Sequence, residues 1–189
     1  MKKKIIFLIS CILSILLIIS CAGQKMEQVP PANQEKCEGP SYREGDSWKF
    51  VYSGGGQWEE TIISNGNMLD LRQNPKQGIQ GIINFPIVGR KIFPLWVGKI
   101  CEGVQPARSV DGIDLNYFYS YTTLGIVNEK VEAGTFKCYK IEFKIRCRGG
   151  EGTMYLYYSP ETKSIIKCIS YGGLLHQFSS YTLLAYSLK

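Results

Sequence analysis

Between Cys138 and Cys147 the chain reads CYKIEFKIRC, with apolar and charged residues in strict alternation. Tyr139, Ile141, Phe143, Ile145 and Cys147 point one way, and Cys138, Lys140, Glu142, Lys144 and Arg146 the other. A period of two belongs to a strand with one covered face, not to a helix. The surroundings extend this reading. "DSWKFVYS" puts Trp48, Phe50 and Tyr52 on one face, and Gly54, Gly55 and Gly56 allow a turn into "QWEETIIS". Asn65-Gly66 is a hairpin signal leading into "NMLDLRQ". From Asp114 the segments "DLNYFYSY", "GIVNEKVEAG", "TFKCYKIEFKIRC", "TMYLYYS", "SIIKCISY" and "LLHQFSSYTLLAYSL" follow with short connections. After the first twenty residues, no stretch repeats apolar residues at i, i+3, i+4, i+7 over ten positions. The expected fold is mainly β: a curved antiparallel meander of about nine strands, with few or short helices.

Asn74 to Pro106 is punctuated by Pro75, Pro86, Pro94 and Pro106 and by five glycines, and reads as loops with one or two short strands and room for a short helix. A stretch this irregular is unusual inside a compact domain.

The first residues give an address. Lys2, Lys3 and Lys4 precede a nearly unbroken apolar run from Ile5 to Ile19. That run is short for a bilayer span, which needs roughly 20 residues, and reads as a secretory signal. Its exit, Ile18-Ile19-Ser20-Cys21, resembles the bacterial lipoprotein signal, which implies a diacylglycerol on the Cys21 thiol, cleavage before it and acylation of the new N-terminus. Two or three acyl chains anchor stably where one does not. The expected organisation is a signal peptide over 1–20, a lipidated flexible tether over 21–40, and a single antiparallel β domain over 41–189. Ala22 differs from the aspartate that retains lipoproteins at the inner membrane of many enteric bacteria, so in a host with two membranes the outer one is expected.

Formal charge is +6 for the whole chain, and the signal removes three lysines and no acids, so the remainder is only mildly basic. That argues against a nucleic-acid partner. Five cysteines lie beyond the anchor: Cys37, Cys101, Cys138, Cys147 and Cys168. An exported compartment permits disulfides, and the odd count leaves one thiol over. No pair has C-x-x-C spacing, and His176 is the only histidine, so neither a metal site nor a cofactor is expected. No nucleophile elbow, phosphate loop or dinucleotide fingerprint occurs. Glu59 and Glu60 are strand neighbours facing opposite sides, and so form no acid/base pair. The chain is expected not to be an enzyme.

Turn lengths suggest a register. If "RGGEG" pairs Cys147 with Thr153, Ile145 lies opposite Tyr155 and Phe143 opposite Tyr157. If "PETK" pairs Ser159 with Ser164, Tyr155 faces Cys168 and Tyr157 faces Ile166. One face then collects Ile141, Phe143, Ile145, Tyr155, Tyr157 and Ile166 as candidate lining residues, with Cys168. Such a face must be covered by protein or by an apolar ligand, and the Gly/Pro-rich middle segment is the best protein cover. A self-filled core and a cavity open to a lipid remain alternatives.

"VEAGTFKCYKIEFK" and "GGEGTMYLYYSPETKSIIKC" resemble a family of exported bacterial proteins, often lipoproteins, similar in architecture to the LolA/LolB lipoprotein carriers. The resemblance covers roughly Val131 to Ser170 and implies an open, curved half-barrel whose apolar inside meets acyl chains. It implies no catalytic residues. The expected function is a membrane-anchored, non-enzymatic envelope protein binding an apolar or lipid-like ligand. The alternative is a structural module with a filled core and an envelope protein partner.

Overall fold

The computed structural model describes residues 28–66, 68–74, 92–108, 114–171 and 180–189. Cys21 and His176 lie outside them. Nine strands form one antiparallel sheet: β1 Ser47–Tyr52, β2 Gln57–Asn65, β3 Met68–Asn74, β4 Ile100–Arg108, β5 Asp114–Val131, β6 Gly134–Cys147, β7 Gly150–Ser159, β8 Ser164–Tyr171 and β9 Tyr181–Ser187. The order across the sheet is β3-β2-β1-β9-β8-β7-β6-β5-β4, so β3 and β4 are free edges and the sheet is open. The meander is interrupted once, between β3 and β4, which lie at opposite edges, so that the last strand, β9, comes to pair with the first, β1. No helix occurs among the described residues.

The strand count agrees with the sequence reading, but its composition does not. "DLNYFYSY" and "GIVNEKV" are one strand, β5, with a bulge between Thr123 and Gly125. The compensating strand is β4, inside the Gly/Pro-rich stretch. Pro106 is tolerated there because β4 is an edge strand, where one side of the backbone needs no ladder partner. Asn65 pairs with Met68, so the β2–β3 hairpin has the expected tight turn, with Gly66 at φ 62° in the left-handed region.

The β6–β7 hairpin corrects the expected register. Cys147 pairs with Gly150, not Thr153, leaving Arg148-Gly149 as a two-residue loop. A displacement of three residues is odd and therefore moves every β7 side chain to the other face. Ile145 lies opposite Gly152, Phe143 opposite Met154 and Ile141 opposite Leu156. Tyr155 and Tyr157 instead stand opposite Glu142 and Lys140. In β7–β8, Ser159 does pair with Ser164, but a bulge leaves Ile166 unmatched. The six candidate lining residues therefore divide between the two faces of the sheet: Ile141, Phe143 and Ile145 on one, Tyr155 and Tyr157 on the other, with Ile166 of β8 packed in the same cluster as Tyr157.

Two cores result. The Ile141 face gathers Tyr121, Tyr139, Ile141, Phe143, Ile145, Met154, Leu156 and Tyr158. The second cluster joins Trp48, Phe50, Trp58, Ile62 and Leu183 to Val131, Phe136, Cys138, Tyr157 and Ile166. Phe50 stacks on Trp58 at 4.8 Å between centroids, within the favourable range for aromatic pairs, and Tyr52 lies closer on Trp58 at 4.2 Å. The 46–48 segment is pinned to the β7–β8 turn. Asp46, fully buried, accepts from the amides of Arg43 and Lys189 and from Nζ of Lys163 at 2.9 Å. Trp48 Nε1 donates to the Thr162 carbonyl at 2.6 Å. Lys163 itself sits at φ 56°, which costs a residue with a Cβ about 1 kcal/mol or more and is held by these contacts.

Candidate functional site

The Ile141 face is covered by protein. Cys37, Ile92 and Leu95 belong to its core, and Phe93 meets the Tyr158 ring edge-on at 5.2 Å. Cys37 and Leu95 exchange two backbone hydrogen bonds of 2.9 and 2.8 Å. Lys99 Nζ donates to the carbonyls of Ile92 and Pro94, both at 2.8 Å, and the amides of Gly98 and Thr123 tie the segment to β5. The middle segment thus supplies the cover, as the sequence suggested. It does so with part of the stretch read as a free tether: Glu35 pairs with Lys137 at 2.8 Å, and Gln34 Nε2 donates to Val97. Ile141, Phe143 and Ile145 are buried side chains of a filled core.

The opposite face, named here for Lys144, holds the open concavity. A trough of about 690 Å³ is lined by β4, β5, β6 and β7. Eight of its twelve lining residues lie in two rows whose pairing puts them on this face: Glu102, Ser120, Lys144 and Thr153, then Val104, Phe118, Arg146 and Glu151. The row between them, Gly103, Tyr119, Ile145 and Gly152, also lines the trough, although the pairing directs its side chains to the opposite face. Gly103 is required for the opposite side: a Cβ there would overlap the Tyr119 ring. Val104 and Phe118, a directly paired apolar couple, are half exposed in the trough.

The charges on this face are arranged among the rings. Lys144 Nζ lies 2.8 Å from Glu142 Oε2, and the Tyr155 hydroxyl donates to Glu142 Oε1 at 3.2 Å. The hydrogen bond and charge of Glu142 push the Lys144 ammonium above its ordinary pKa. Arg146 stands over the Phe118 ring at 5.6 Å, and Lys140 over Tyr155 at 4.9 Å. Lys167 pairs with Glu129 at 2.7 Å and stands over Tyr157 at 5.5 Å. Cations over ring faces keep both groups ordered without burying a charge. The trough therefore offers an apolar couple, flanked by fixed cations and carboxylates: a binding surface.

Of the candidate lining residues, Tyr155 and Tyr157 are on the trough's face but beyond its rim, and Ile166 packs in the second core. Val104, Phe118 and Arg146 were missed. The alternation does place Phe118 and Arg146, but Val104 sits in a stretch whose glycines and prolines hide the strand. The cysteines Cys37, Cys101, Cys138, Cys147 and Cys168 are all thiols. Burial pushes Cys168 up to about 12, and burial with the charges of Glu129 and Glu161 pushes Cys138 up to about 12. Among the described residues no group of three or more His, Cys, Asp or Glu side chains converges as a metal would require.

No protein-family model matches this sequence. No curated protein matches it. Among solved structures, the chain is similar to a protein with a YmcC-like fold from Bacteroides fragilis, at 10% identity and a TM-score of 0.41, over 81% of this chain and 100% of that one.

Proposed function

We propose that the chain is a membrane-anchored envelope lipoprotein, exported through its N-terminal signal and held by acyl chains on Cys21, that binds an apolar or lipid-like ligand without catalysing a reaction. In a host with two membranes its place is the outer one. The observation that carries the ligand reading is the trough: about 690 Å³, within the ~300–1,000 Å³ typical of small-molecule sites, with Val104 and Phe118 exposed inside it. This moves the proposed site from the Ile141 face, which the chain fills itself, to the Lys144 face. Apolar contact there contributes at about 25 cal/mol per Å², less the cost of association.

The test is native mass spectrometry after gentle extraction of the full chain. A co-purifying lipid-sized mass, lost in Phe118→Asp while the fold persists, is expected. An unliganded protein that also takes up no added fatty acid or phospholipid would overturn the reading. A second reading, an envelope module acting through a protein partner, is favoured by the free edges of β3 and β4. One reproducible cross-linked partner in cells, with Phe118→Asp silent, would select it.

A further inference from the structure

We infer that the β4–β5 edge of the Lys144 face is a membrane-contact surface, resting on the lipid layer that anchors the chain. The inference depends on the reading of Cys21 as the lipid site and then adds an orientation to it. The described chain begins at Gln28, whose Oε1 accepts a 2.8 Å hydrogen bond from the Ile100 amide at the start of β4. Cys21 is seven residues earlier, and a chain spans at most about 3.5 Å per residue. The anchored residue is therefore held within about 25 Å of Gln28, which touches Ile100. Val104 is four residues along the same strand, roughly 13 Å at strand rise.

The surface nearest that anchor is apolar. Val29 is 82% exposed beside the entry point, and Ile100, Val104 and Phe118 are 44%, 52% and 46% exposed. Ile100 pairs with Thr122 and Val104 with Phe118, so the three share the Lys144 face. Exposed apolar groups gathered in one place mark an interaction surface. Here the occupant is constrained: a bilayer lies within reach whenever the anchor is engaged. Lys144 and Arg146 alternate with Glu102 and Glu151, so charge does not select an anionic surface. A zwitterionic one suffices, and the contact should be nearly insensitive to salt.

The native tryptophans make the test clean, because Trp48, Trp58 and Trp96 are buried. The lipidated full chain is reconstituted in phosphatidylcholine vesicles carrying brominated acyl chains, as Val104→Trp, Ile100→Trp and, for the far edge, Leu69→Trp. Fluorescence of the first two should fall at least twofold relative to unbrominated vesicles, and that of Leu69→Trp should not change. Equal responses at all three positions, or none, would overturn the inference. The mass of the N-terminal peptide separates the two layers. A lipidated Cys21 without quenching removes the contact surface alone, whereas an unmodified Cys21 removes the anchor and the inference with it. Quenching that is absent while Val104→Trp shifts to the blue with protein concentration would assign the patch to a second copy of the chain, against the lipid surface.

Discussion

Phe136 and Phe118 stand on the same face of the sheet, one on each strand of the β5–β6 hairpin, yet only Phe136 is buried. At the hairpin tip, Val131, Phe136 and Cys138 pack into the cluster built by Trp48, Phe50, Trp58 and Leu183. The Ala133 amide even donates to the Leu183 carbonyl of β9 at 3.3 Å. At the other end nothing among the described residues crosses Phe118, Lys144 and Arg146, and the trough remains. A sheet face is core only where another part of the chain comes over it. Alternation reports that a face exists; it says nothing of who covers it.

The largest contrast should appear in thiol chemistry. Cys138 is on the filled end and fully buried, with its thiol pushed up to about 12; Cys147 ends the same strand half-buried at the open end. The thiolate is the nucleophile, so at pH 8 a thiol of pKa 12 is ionised to about one part in ten thousand. Alkylation followed by peptide mass spectrometry should modify the half-buried Cys147 well ahead of the fully buried, scarcely ionised Cys138. Comparable rates would mean that the hairpin tip opens readily and the two ends differ little.

Next comes the matched pair of phenylalanines. Phe136→Ala should cost about 3–5 kcal/mol, the usual range for a buried phenylalanine, and Phe118→Ala less than about 1 kcal/mol. Urea denaturation of each variant measures both. A cost at Phe118 equal to that at Phe136 would show the open end to be covered after all.

These numbers also say what was legible. The alternation from Cys138 to Cys147 placed Phe143 and Lys144 on opposite faces correctly, because within one strand only the pleat matters. Pairing between strands needed the turn as well. "RGGEG" offers glycines at 149, 150 and 152, and any of several loops fits them; the two-residue choice reversed the face of Tyr155 and Tyr157. The bulge at Leu124 adjoins Gly125, a glycine that reads equally as a turn between two strands or as a bulge within one, and the bulge at Ile166 has no residue type that announces it. The cover of the Ile141 face came from the Gly/Pro-rich segment, as its lack of any other role suggested. That Cys37 would join it, by two hydrogen bonds to Leu95, is a long-range contact that no local pattern carries.

A third effect closes the filled end. Burial alone would raise the Asp46 pKa. The amide of Lys189, the Lys163 ammonium and the amide of Arg43 outweigh it and hold the carboxyl below the ordinary range. Asp46→Asn keeps the shape but loses the charge that these donors face, and should cost about 2–3 kcal/mol at pH 7. A carboxyl with a depressed folded pKa stabilises above its unfolded pKa of ~4 and loses that contribution as pH falls through the folded value. The wild type should therefore weaken more steeply than the Asn variant below pH 4, measured by urea midpoints at pH 7 and pH 3. Parallel curves would remove Asp46 as the clamp between β1, the C-terminus and the β7–β8 turn.

The smallest effect has the opposite sign. Glu60 lies on β2 beside the Tyr52–Trp58–Phe50 stack, where burial raises its pKa. Hydrogen bonds from Gln73 Nε2 at 2.7 Å and Trp58 Nε1 at 3.4 Å only partly offset this. Both donors reach Oε1, and a glutamine carbonyl in that place can accept them both, though less strongly than a carboxylate. A carboxyl whose folded pKa is raised disfavours folding once the unfolded chain ionises it, so its penalty is absent at low pH and sets in as pH rises above the unfolded value of ~4.3. Glu60→Gln should thus be neutral at pH 3 and stabilising by up to about 1 kcal/mol at pH 7, read from the same denaturation midpoints. The same exchange at Glu102, in the trough, should change neither midpoint by more than about 0.5 kcal/mol. If Glu60→Gln destabilises at pH 7, the filled end holds its carboxylate by design. The filled end would then hold two carboxylates in their charged form, Glu60 as well as Asp46.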